Sequence, residues 1–383
     1  MSKILTYFIA VFAIISLIIG SYGFVVFQGQ VSDLQSSNTN LEISLSDIET
    51  SLNAIETQIE DYQETISEQQ GSLVTIQGQV EDYQKTIDEQ KKQISEYQQV
   101  TLVDYMGNVI VLDSPPERIV SLAPSNTEIL FAVGAGDKVV GVTNYCNYPY
   151  NFTAWIEAGN MTSIGSHYSL AVEPIVALDP DLVIASTVGN SENVVNLKKL
   201  GYNVLVLETK TLEGLLKDIL LVGRATGNEI KASNLVTEMR TRIDSVVNKV
   251  TNVPTTPKVY HEVWRDPLRS AGPGTFVDDL ITLAGGENIF NDASTSWPTI
   301  SSETVIEKNP EVIFLPDNYM GETDLPLTIE TIKDRAGWNQ ITAVQNDAIY
   351  EIDGNTISRA GPRLVDALEL IAKMVHPEIF GYP

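Results

Sequence analysis

The sequence predicts an α/β protein with two Rossmann-like lobes joined by one long helix, preceded by a transmembrane helix and a long α-helical coiled coil. Three observations support this fold class. The segment EPIVALDPDLVIA at residues 173–185 returns 130 positions later as ETVIEKNPEVIFL at residues 303–315. From residue 100 onward, short apolar runs alternate with helical patterns, as in parallel sheets covered by helices. Before residue 100, an uncharged run precedes an unbroken heptad pattern.

Each copy of the repeated segment predicts a short helix, a stop and a buried strand. A glutamate, Glu173 or Glu303, opens the copy, and negative charge is favoured near a helix N-terminus. The residue before Pro180 or Pro310 is disfavoured in the α region, so each helix should end there. The apolar run that follows is typical of a strand covered on both faces. Two similar lobes with matched glutamates are indicated, although two ordinary helix–strand units can also look alike by chance.

Composition limits the classes of function. The formal net charge is −26, and the clustered Lys and Arg needed for phosphate contact are absent, so nucleic acid is not an expected partner. The single cysteine, Cys146, excludes an intramolecular disulfide. The histidines His167, His261 and His376 are too scattered for a zinc motif, and no metal site is predicted.

The first predicted domain, residues 1–27, is a transmembrane anchor. Residues 4–27 carry no charge, and a helix of that length spans roughly 36 Å, enough for a bilayer. Lys3 precedes the run and the next basic residue is Lys85, so the positive-inside rule places the rest of the chain outside the cytoplasm. A cleaved signal peptide is the alternative, but the run is long for one and no A-x-A site follows it. We expect a single-pass protein of the cell membrane, with the coiled coil and the binding domain outside.

Residues 28–99 predict a coiled-coil stalk. Seam residues step alternately by 4 and 3 from Leu41 to Tyr97 without a break, which is about eight heptads. EDYQETISEQQ returns as EDYQKTIDEQK after three whole heptads, so the seam keeps its register, and Gln69 and Gln90 are its polar positions. A single amphipathic helix cannot bury this stripe. The chain should therefore form a homo-oligomer, fold back on itself or bind another protein.

The remaining sequence predicts three further domains: an N-terminal α/β lobe at residues 100–227, a connecting helix at residues 228–253 and a C-terminal α/β lobe at residues 254–383. Strand-like runs alternate with helical patterns in both lobes. In the first lobe, Ser125 and Glu128 have the spacing of a capping box that would open a helix.

Several longer stretches carry a resemblance to a known family. They are RIVSLAPSNTEILFAVGAGDKVVGVTNYCNYP at residues 118–149, the segment from residue 173, EVWRDPLRSAGPGTFVDDLITLAGGENIF at residues 262–290, WPTISSE at residues 297–303 and RAGPR at residues 359–363. In this order they resemble the substrate-binding proteins of ABC importers for cobalamin and iron chelates, in which one long helix joins two lobes. The resemblance starts near residue 100 and leaves out the anchor and the coiled coil. Within the family, the closest likeness is to the cobalamin binders, through YCNYP, GGENIF and WPTISSE.

The resemblance implies roles for individual residues. Glu173 and Glu303 match the two lobe-tip glutamates that dock onto arginines of the permease. Tyr145 and Tyr148 match the loop that lines the ligand cleft, and Trp297 matches an aromatic that packs on the ligand. Aromatic walls suit a large flat ligand such as a corrin or a porphyrin.

Three other residues are expected at the cleft. Arg359 matches a cleft position and could pair with ligand oxygens. His167 stands where the cobalamin binders carry an aromatic residue, so it could ligate cobalt or iron or simply line the wall. Trp264 lies in a segment expected between the lobes.

The expected function is that of a membrane-anchored receptor that captures a corrinoid, namely cobalamin, and delivers it to an ABC permease and its ATPase. Haem or a ferric siderophore is the alternative ligand, and a surface recognition or adhesion protein with a coiled-coil stalk is the second alternative. No nucleophile–base pair, metal cluster or phosphate loop points to an enzyme. The metal chelate is cargo, and no catalytic cofactor is expected.

Overall fold

The structure of the 383-residue chain is a computed structural model. By compactness the chain divides into two units, Met1–Gln90 and Lys91–Pro383. The structure describes residues 2–96, 99–166, 169–187, 191–318 and 328–383.

One helix, α1 (Ser2–Glu96), runs through the first unit. The apolar and aromatic seam residues from Leu41 to Ile87 lie on its surface, each with 42 to 69% of its area exposed. Gly71 and Gly78 lie inside the helix without interrupting it. The helix is as predicted, whereas a coiled coil also needs a partner helix and stays a prediction.

The apolar run near the N-terminus also lies within α1, where large side chains such as Phe8 and Phe12 are exposed. Among the described residues, no helix is both long enough and apolar enough to cross a membrane. The transmembrane anchor predicted at residues 1–27 is therefore not confirmed.

The second unit begins with a set of strands and helices that we call the N-terminal lobe. Its strands are β1 (Val100–Val103), β2 (Val109–Leu112), β3 (Ile119–Ser121), β4 (Val139–Val142), β5 (Thr162–Ser163), β6 (Gly165–Ser166), β7 (Ser169–Leu170), β8 (Leu182–Ser186) and β9 (Val204–Leu207). Its helices are α2 (Pro124–Ala132), the 3-10 helix Gly136–Lys138, α3 (Phe152–Glu157), α4 (Val172–Ala177), α5 (Ser191–Lys199) and α6 (Leu212–Ala225).

Five of these strands form the first sheet, in the order β5-β4-β3-β8-β9, and all neighbours are parallel. The chain builds one half outward from β3 to β5 and then returns to add β8 and β9 on the other side of β3. This is the strand order of a Rossmann-like sheet, with its topological switch point between β3 and β8. Outside this sheet, β1 pairs with β2 and β6 with β7, both antiparallel.

A single helix of 22 residues, α7 (Glu229–Val250), follows the N-terminal lobe. It buries Ala232, Val236, Met239, Ile243 and Val246, which recur at intervals of four and three residues along one face. The helix packs against α6, which precedes it in the chain, and against the last long helix of the protein, at residues 364–375. It lies within residues 228–253, and its role as the connecting helix stays a prediction.

The elements after α7 form what we call the C-terminal lobe. Its strands are β10 (Lys258–Arg265), β11 (Leu268–Ser270), β12 (Glu287–Asn288), β13 (Val312–Pro316) and β14 (Ile349–Ile352). Its helices are α8 (Phe276–Leu283), α9 (Ser302–Lys308), α10 (Ile329–Lys333), the 3-10 helix Trp338–Gln340, α11 (Thr342–Gln345), α12 (Gly354–Ile357), α13 (Leu364–Val375) and α14 (Pro377–Phe380).

These strands form the second sheet, in the order β11-β10-β13-β14, with β12 also paired to β10. The pairs of β10 with β12, of β10 with β13 and of β13 with β14 are parallel, whereas β11 runs antiparallel to β10. The carboxyl ends of β10, β13 and β14 therefore lie at one edge of this sheet. The α/β fold with parallel sheets that the sequence predicts is confirmed.

The apolar core joins the two lobes. One continuous cluster includes Leu216 of α6, Met239 of α7, Leu280 of α8 and Leu368 of α13, all buried. Two separate clusters cover the opposite faces of the first and second sheets. Because both faces of each sheet are covered, the parallel strands read as continuous apolar runs in the sequence. The residue limits assigned to the domains from the sequence stay predictions.

The two copies of the repeated segment fold alike. Each gives a short helix, α4 or α9, followed by a buried strand, β8 or β13. The sequence of exposed, half-buried and buried residues is identical from residue 171 to 185 and from residue 301 to 315. Both helices end before the proline, as predicted, and the residue before it takes a positive φ, 44° at Asp179 and 46° at Asn309.

The predicted capping box at Ser125 and Glu128 is wrong. Helix α2 begins two residues earlier than that cap would place it, with Pro124 in its first turn, and its N-cap residue Ala123 provides no side-chain hydrogen bond. Proline at the first position is itself favourable, because its missing N–H would have no partner there. The Glu128 side chain takes no part in a cap and forms its hydrogen bonds with another part of the protein.

Candidate functional site

The candidate site residues come from the carboxyl ends of strands in both lobes. Tyr145 follows the end of β4 by three residues, and Trp264 is the last residue but one of β10. Arg359 follows α12, which itself comes directly after β14. Open parallel sheets bind their ligands outside this edge, close to the switch point. These residues therefore lie at the edge where such sheets bind ligands, and their contact with a ligand stays a prediction.

Arg359 makes three hydrogen bonds, two of which join the lobes. It donates to the backbone carbonyl of Tyr145 at 3.0 Å and to the side-chain oxygen of Asn147 at 2.5 Å, both in the loop after β4. It also donates to Asn355 Oδ1 at 2.6 Å within its own lobe. Only 9% of Arg359 is exposed, and burial lowers the pKa of its guanidinium. Much of its donor capacity is thus used by the protein itself.

A second arginine, Arg363, binds the buried carboxylate of Glu128. Its Nη2 donates to Oε1 at 2.6 Å and its Nε donates to Oε2 at 3.0 Å, a bidentate pair between the lobes. Burial opposes the charge on Arg363, but the bonds and charge of Glu128 outweigh that effect and raise its pKa overall. The same guanidinium lies 4.3 Å from the ring centre of Tyr148. Arg363 therefore fixes both a buried acid and a predicted wall residue.

The two arginines together fasten the loop that carries Tyr145 and Tyr148. Arg359 also lies 3.5 Å from Glu128, so one carboxylate serves both guanidinium groups. Tyr145 and Tyr148 keep 36% and 45% of their surface exposed. The Tyr145 backbone and the Tyr148 ring are thus contacted by the opposite lobe, while both side chains remain partly exposed.

A different part of the site is the exposed face of β10 and β11. Trp264 is paired with Arg269 across these strands, and Arg269 bridges in turn to Thr299. Directly paired residues of antiparallel strands carry their side chains on the same face, and so do residues two apart in an extended segment. The segment before Thr299 continues antiparallel to β11, because Ser270 N–H donates to the Pro298 carbonyl and Gly272 N–H to the Ser296 carbonyl, and we therefore place Trp297 on the same face. We call Trp264, Arg269 and Trp297 the tryptophan–arginine face.

The members of the tryptophan–arginine face are all exposed. Trp264 donates through Nε1 to the carbonyl of Asp266 at 3.0 Å, and Trp297 packs edge-on against Phe276. Arg269 makes no side-chain hydrogen bond or ion pair within the part of the chain that the structure describes. Two aromatic rings and one cation thus line the same face, an arrangement that suits a flat apolar ligand with a negative group.

The matched glutamates Glu173 and Glu303 are each the second residue of a short helix, α4 and α9, and both are exposed. Backbone hydrogen bonding and the Ser301 hydroxyl lower the pKa of Glu303. Neither forms an ion pair with a described residue, so both carboxylates are accessible to a partner.

His167 lies outside the described residues, and its predicted place in the cleft stays a prediction. Among the described residues, no group of three or more His, Cys, Asp or Glu side chains is placed to hold a metal ion.

A model of the periplasmic binding protein family matches residues 119–356, more than half of the chain. The chain belongs to this periplasmic binding protein family. The resemblance drawn from the sequence motifs is therefore confirmed.

Three other proteins illustrate the likeness within the family. An uncharacterized ABC transporter substrate-binding lipoprotein of Bacillus subtilis, YvrC, is 31% identical over 296 residues, which are 76% of this chain and 89% of the relative. The vitamin B12-binding protein of Vibrio cholerae is 30% identical over 259 residues, 67% of this chain and 88% of the relative. The periplasmic heme-binding protein RhuT of Roseiflexus sp. RS-1 superposes with a TM-score of 0.59 at 26% identity, covering 68% of this chain and 98% of RhuT.

These members of the periplasmic binding protein family bind solutes and are not enzymes, so the expectation of a non-enzymatic protein is confirmed. The sequence reasoning missed the residues that hold the lobes together. Glu128 was assigned to a helix cap, and Arg363 stood in the quoted RAGPR motif without a role. A charged residue inside an otherwise apolar helix, as Glu128 is in NTEILFAV, was the available signal, because such a charge is rarely buried without a partner.

Proposed function

We propose that this protein captures a corrinoid, cobalamin, outside the cytoplasm and delivers it to an ABC permease and its ATPase. The tryptophan–arginine face carries the proposal, because exposed rings held by backbone bonds and edge-on packing form a preformed wall for a flat ligand. The family membership and the vitamin B12-binding relative support the ligand class.

The proposed ligand site lies between two walls. Trp264 and Trp297 form the wall of the C-terminal lobe, and Tyr145 and Tyr148 form that of the N-terminal lobe. Arg359 contributes mainly by holding the tyrosine loop, because three of its hydrogen bonds already go to protein oxygens. Affinity then comes from burying the flat faces of the ligand against rings that are already in place.

Delivery to the permease is assigned to Glu173 and Glu303. Each glutamate is the second residue of its helix, and the two segments have the same pattern of exposure up to the following strand. Two equivalent acids on two similar lobes suit a permease that presents two equivalent basic sites.

The protein is proposed to be held at the membrane by residues 1–27, with the rest of the chain outside. The uncharged run at residues 4–27 and the lysine before it support this arrangement. The Bacillus relative is itself a lipoprotein, so attachment to a membrane is found among similar proteins.

Haem or a ferric siderophore is the alternative ligand of the same site. The exposed Arg269 favours a ligand with a carboxylate or another negative group, and the similar RhuT structure is that of a heme-binding protein. Which of these ligands binds therefore depends on the chemical group that contacts the tryptophan–arginine face.

Equilibrium dialysis of the full chain in detergent against cobalamin tests the proposal. We expect saturable binding of one ligand per chain, a shift of the cobalamin absorbance, and loss of most binding when Trp264→Ala and Trp297→Ala are combined. Absence of binding to cobalamin, with binding of haem under the same conditions, would replace the corrinoid by the alternative ligand.

A further inference from the structure

The exposed seam of α1 is an unpartnered surface with a defined composition. Between residues 41 and 90 the seam alternates between the heptad positions a and d. Leu or Ile fills most a positions, while the d positions hold Leu, Ile, Tyr and Gln. The a positions are Leu45, Leu52, Ile59, Ile66, Leu73, Val80 and Ile87, and the d positions are Leu41, Ile48, Ile55, Tyr62, Gln69, Ile76, Tyr83 and Gln90.

We propose that this surface binds further copies of the same chain, in a parallel, in-register bundle of three or four helices. The argument is independent of the ligand that the lobes bind. It depends on the residues at the seam, on the charges beside it and on the position of the two seam glutamines.

The seam residues favour more than two helices. A two-stranded coil prefers β-branched residues at a and leucine at d. Here the heptads that start at Leu45, Leu52 and Leu73 have the opposite order, with leucine at a and isoleucine at d. Leucine at a with isoleucine at d, or isoleucine at both, shifts the preference to three or four strands.

The charges beside the seam permit identical copies to approach. Every g position from residue 44 to residue 86 is Ser, Thr or Gln, and every e position from residue 63 to residue 84 is Gln. The only acids beside the seam are Glu42, Glu49 and Glu56 at e, and each would face a neutral g residue in a parallel bundle. The other acids lie at b, c and f, on the outer face. An acidic segment thus presents almost no like-charge contact to its own copies.

The uncharged e and g residues beside the seam also favour a bundle of more than two helices. In a pair of helices, e and g residues border the solvent and usually carry the charges that select the partner. In a larger bundle they approach the core, where neutral side chains are preferred to unpaired charges. The run of Gln, Ser and Thr beside this seam fits the second situation.

The two seam glutamines set the orientation. In a parallel in-register bundle, Gln69 meets Gln69 and Gln90 meets Gln90, so each amide has an amide partner. An antiparallel alignment that pairs Gln69 with Gln90 leaves the seam between Leu41 and Ile59 uncovered. Only the parallel arrangement satisfies both amides and covers the whole stripe.

Sedimentation of the full chain in density-matched detergent tests the number of copies. We expect a mass three or four times that of one chain. A mass equal to that of one chain or two chains would overturn the proposal. Ile55→Asp combined with Ile76→Asp should give single chains, because both acids would enter the seam. The matched control Thr50→Asp with Ser67→Asp adds the same charge on the outer face and should keep the large species. Persistence of that species in the seam variant would show that the seam is not the interface.

Disulfide crosslinking tests the orientation. In a parallel in-register bundle Ile48→Cys places thiols of neighbouring copies together, so we expect crosslinked chains on oxidation, whereas Glu64→Cys on the outer face should remain uncrosslinked. Native Cys146 is buried and burial raises the pKa of its thiol, so it does not compete. Failure of Ile48→Cys to crosslink, with a mass of three or four chains, would overturn the parallel arrangement.

Discussion

Arg363 and Glu128, 235 positions apart in the sequence, form a bidentate ion pair between the two lobes. The carboxylate is 3% exposed, and the guanidinium that binds it also lies over the ring of Tyr148. Arg359 reinforces the same junction through the carbonyl of Tyr145. The position of the tyrosine loop therefore depends on a buried charge pair contributed by the other lobe.

Arg363→Ala should lower the free energy of unfolding by about 3–5 kcal/mol, because it leaves the Glu128 carboxylate buried without its main partner. Urea unfolding followed by tryptophan fluorescence measures the change. The exposed pair of Arg240 and Glu213 provides the control, since each partner is about half exposed. Arg240→Ala should cost less than about 1 kcal/mol. An equal loss of unfolding free energy in the two variants would mean that the buried pair stabilises the protein no more than the exposed pair does.

Asp218 should make the protein less stable as the pH rises. Burial, assisted by the charge of Glu208, raises the pKa of this carboxyl to about 6 from its ordinary 3.8. Between these values the folded state binds more protons than the unfolded state, so stability falls as pH increases through the window, by up to about 3 kcal/mol.

The variant Asp218→Asn keeps an oxygen that can accept the bond from Thr209 and removes the charge. Its stability relative to the unchanged protein should therefore be greater at pH 8 than at pH 4, as measured by urea unfolding at both values. The exposed Asp244→Asn is the control and should show no such difference. A difference of the opposite sign would contradict the assigned pKa direction.

Glu173 and Glu303 should affect delivery and not capture. The double variant Glu173→Ala with Glu303→Ala should bind the ligand normally but fail to stimulate the ATPase of its permease in reconstituted membranes, because both acidic contacts are lost. Glu307→Ala, an exposed glutamate on the same short helix as Glu303, is the matched control. Unchanged stimulation in the double variant would remove the docking role from these residues.

Arg269 should contribute to affinity only when the ligand carries a negative group. Arg269→Gln is expected to weaken binding of such a chelate about tenfold, which corresponds to about 1.4 kcal/mol. The loss should shrink at high salt, since the site is exposed. Calorimetry at two salt concentrations measures both effects, with Arg240→Gln as the control. Equal affinity of the Arg269 variant and the unchanged protein would exclude this arginine from the site.

Much of the fold could be predicted because local patterns specified it. The repeated segment gave a helix and a strand in each lobe, and the buried face of α7 follows the spacing of its apolar residues. Thr211 and Thr275 cap their helices through side-chain bonds, as their position before an apolar helical run suggests.

Long-range contacts could not be derived in the same way. The pairing of Glu128 with Arg363 joins residues that no local pattern relates, and the capping-box spacing at Ser125 offered a plausible local use for the same glutamate. Likewise, the bonds of Arg359 to Tyr145, Asn147 and Asn355 could not be derived from the sequence, and its expected contact with a ligand stays a prediction. The placement of Arg269 opposite Trp264 follows from the strand register, which the sequence alone did not reveal.

Calorimetric titration of the full chain with cobalamin, using haem and a ferric siderophore as competitors, tests the central claim most directly. We expect one cobalamin per chain, at least tenfold weaker binding in Trp297→Ala because an aromatic contact is lost, and unchanged binding in the exposed Tyr382→Ala. Binding of haem or the siderophore with no response to cobalamin would contradict the corrinoid, and the absence of binding by all three would contradict capture of a metal chelate.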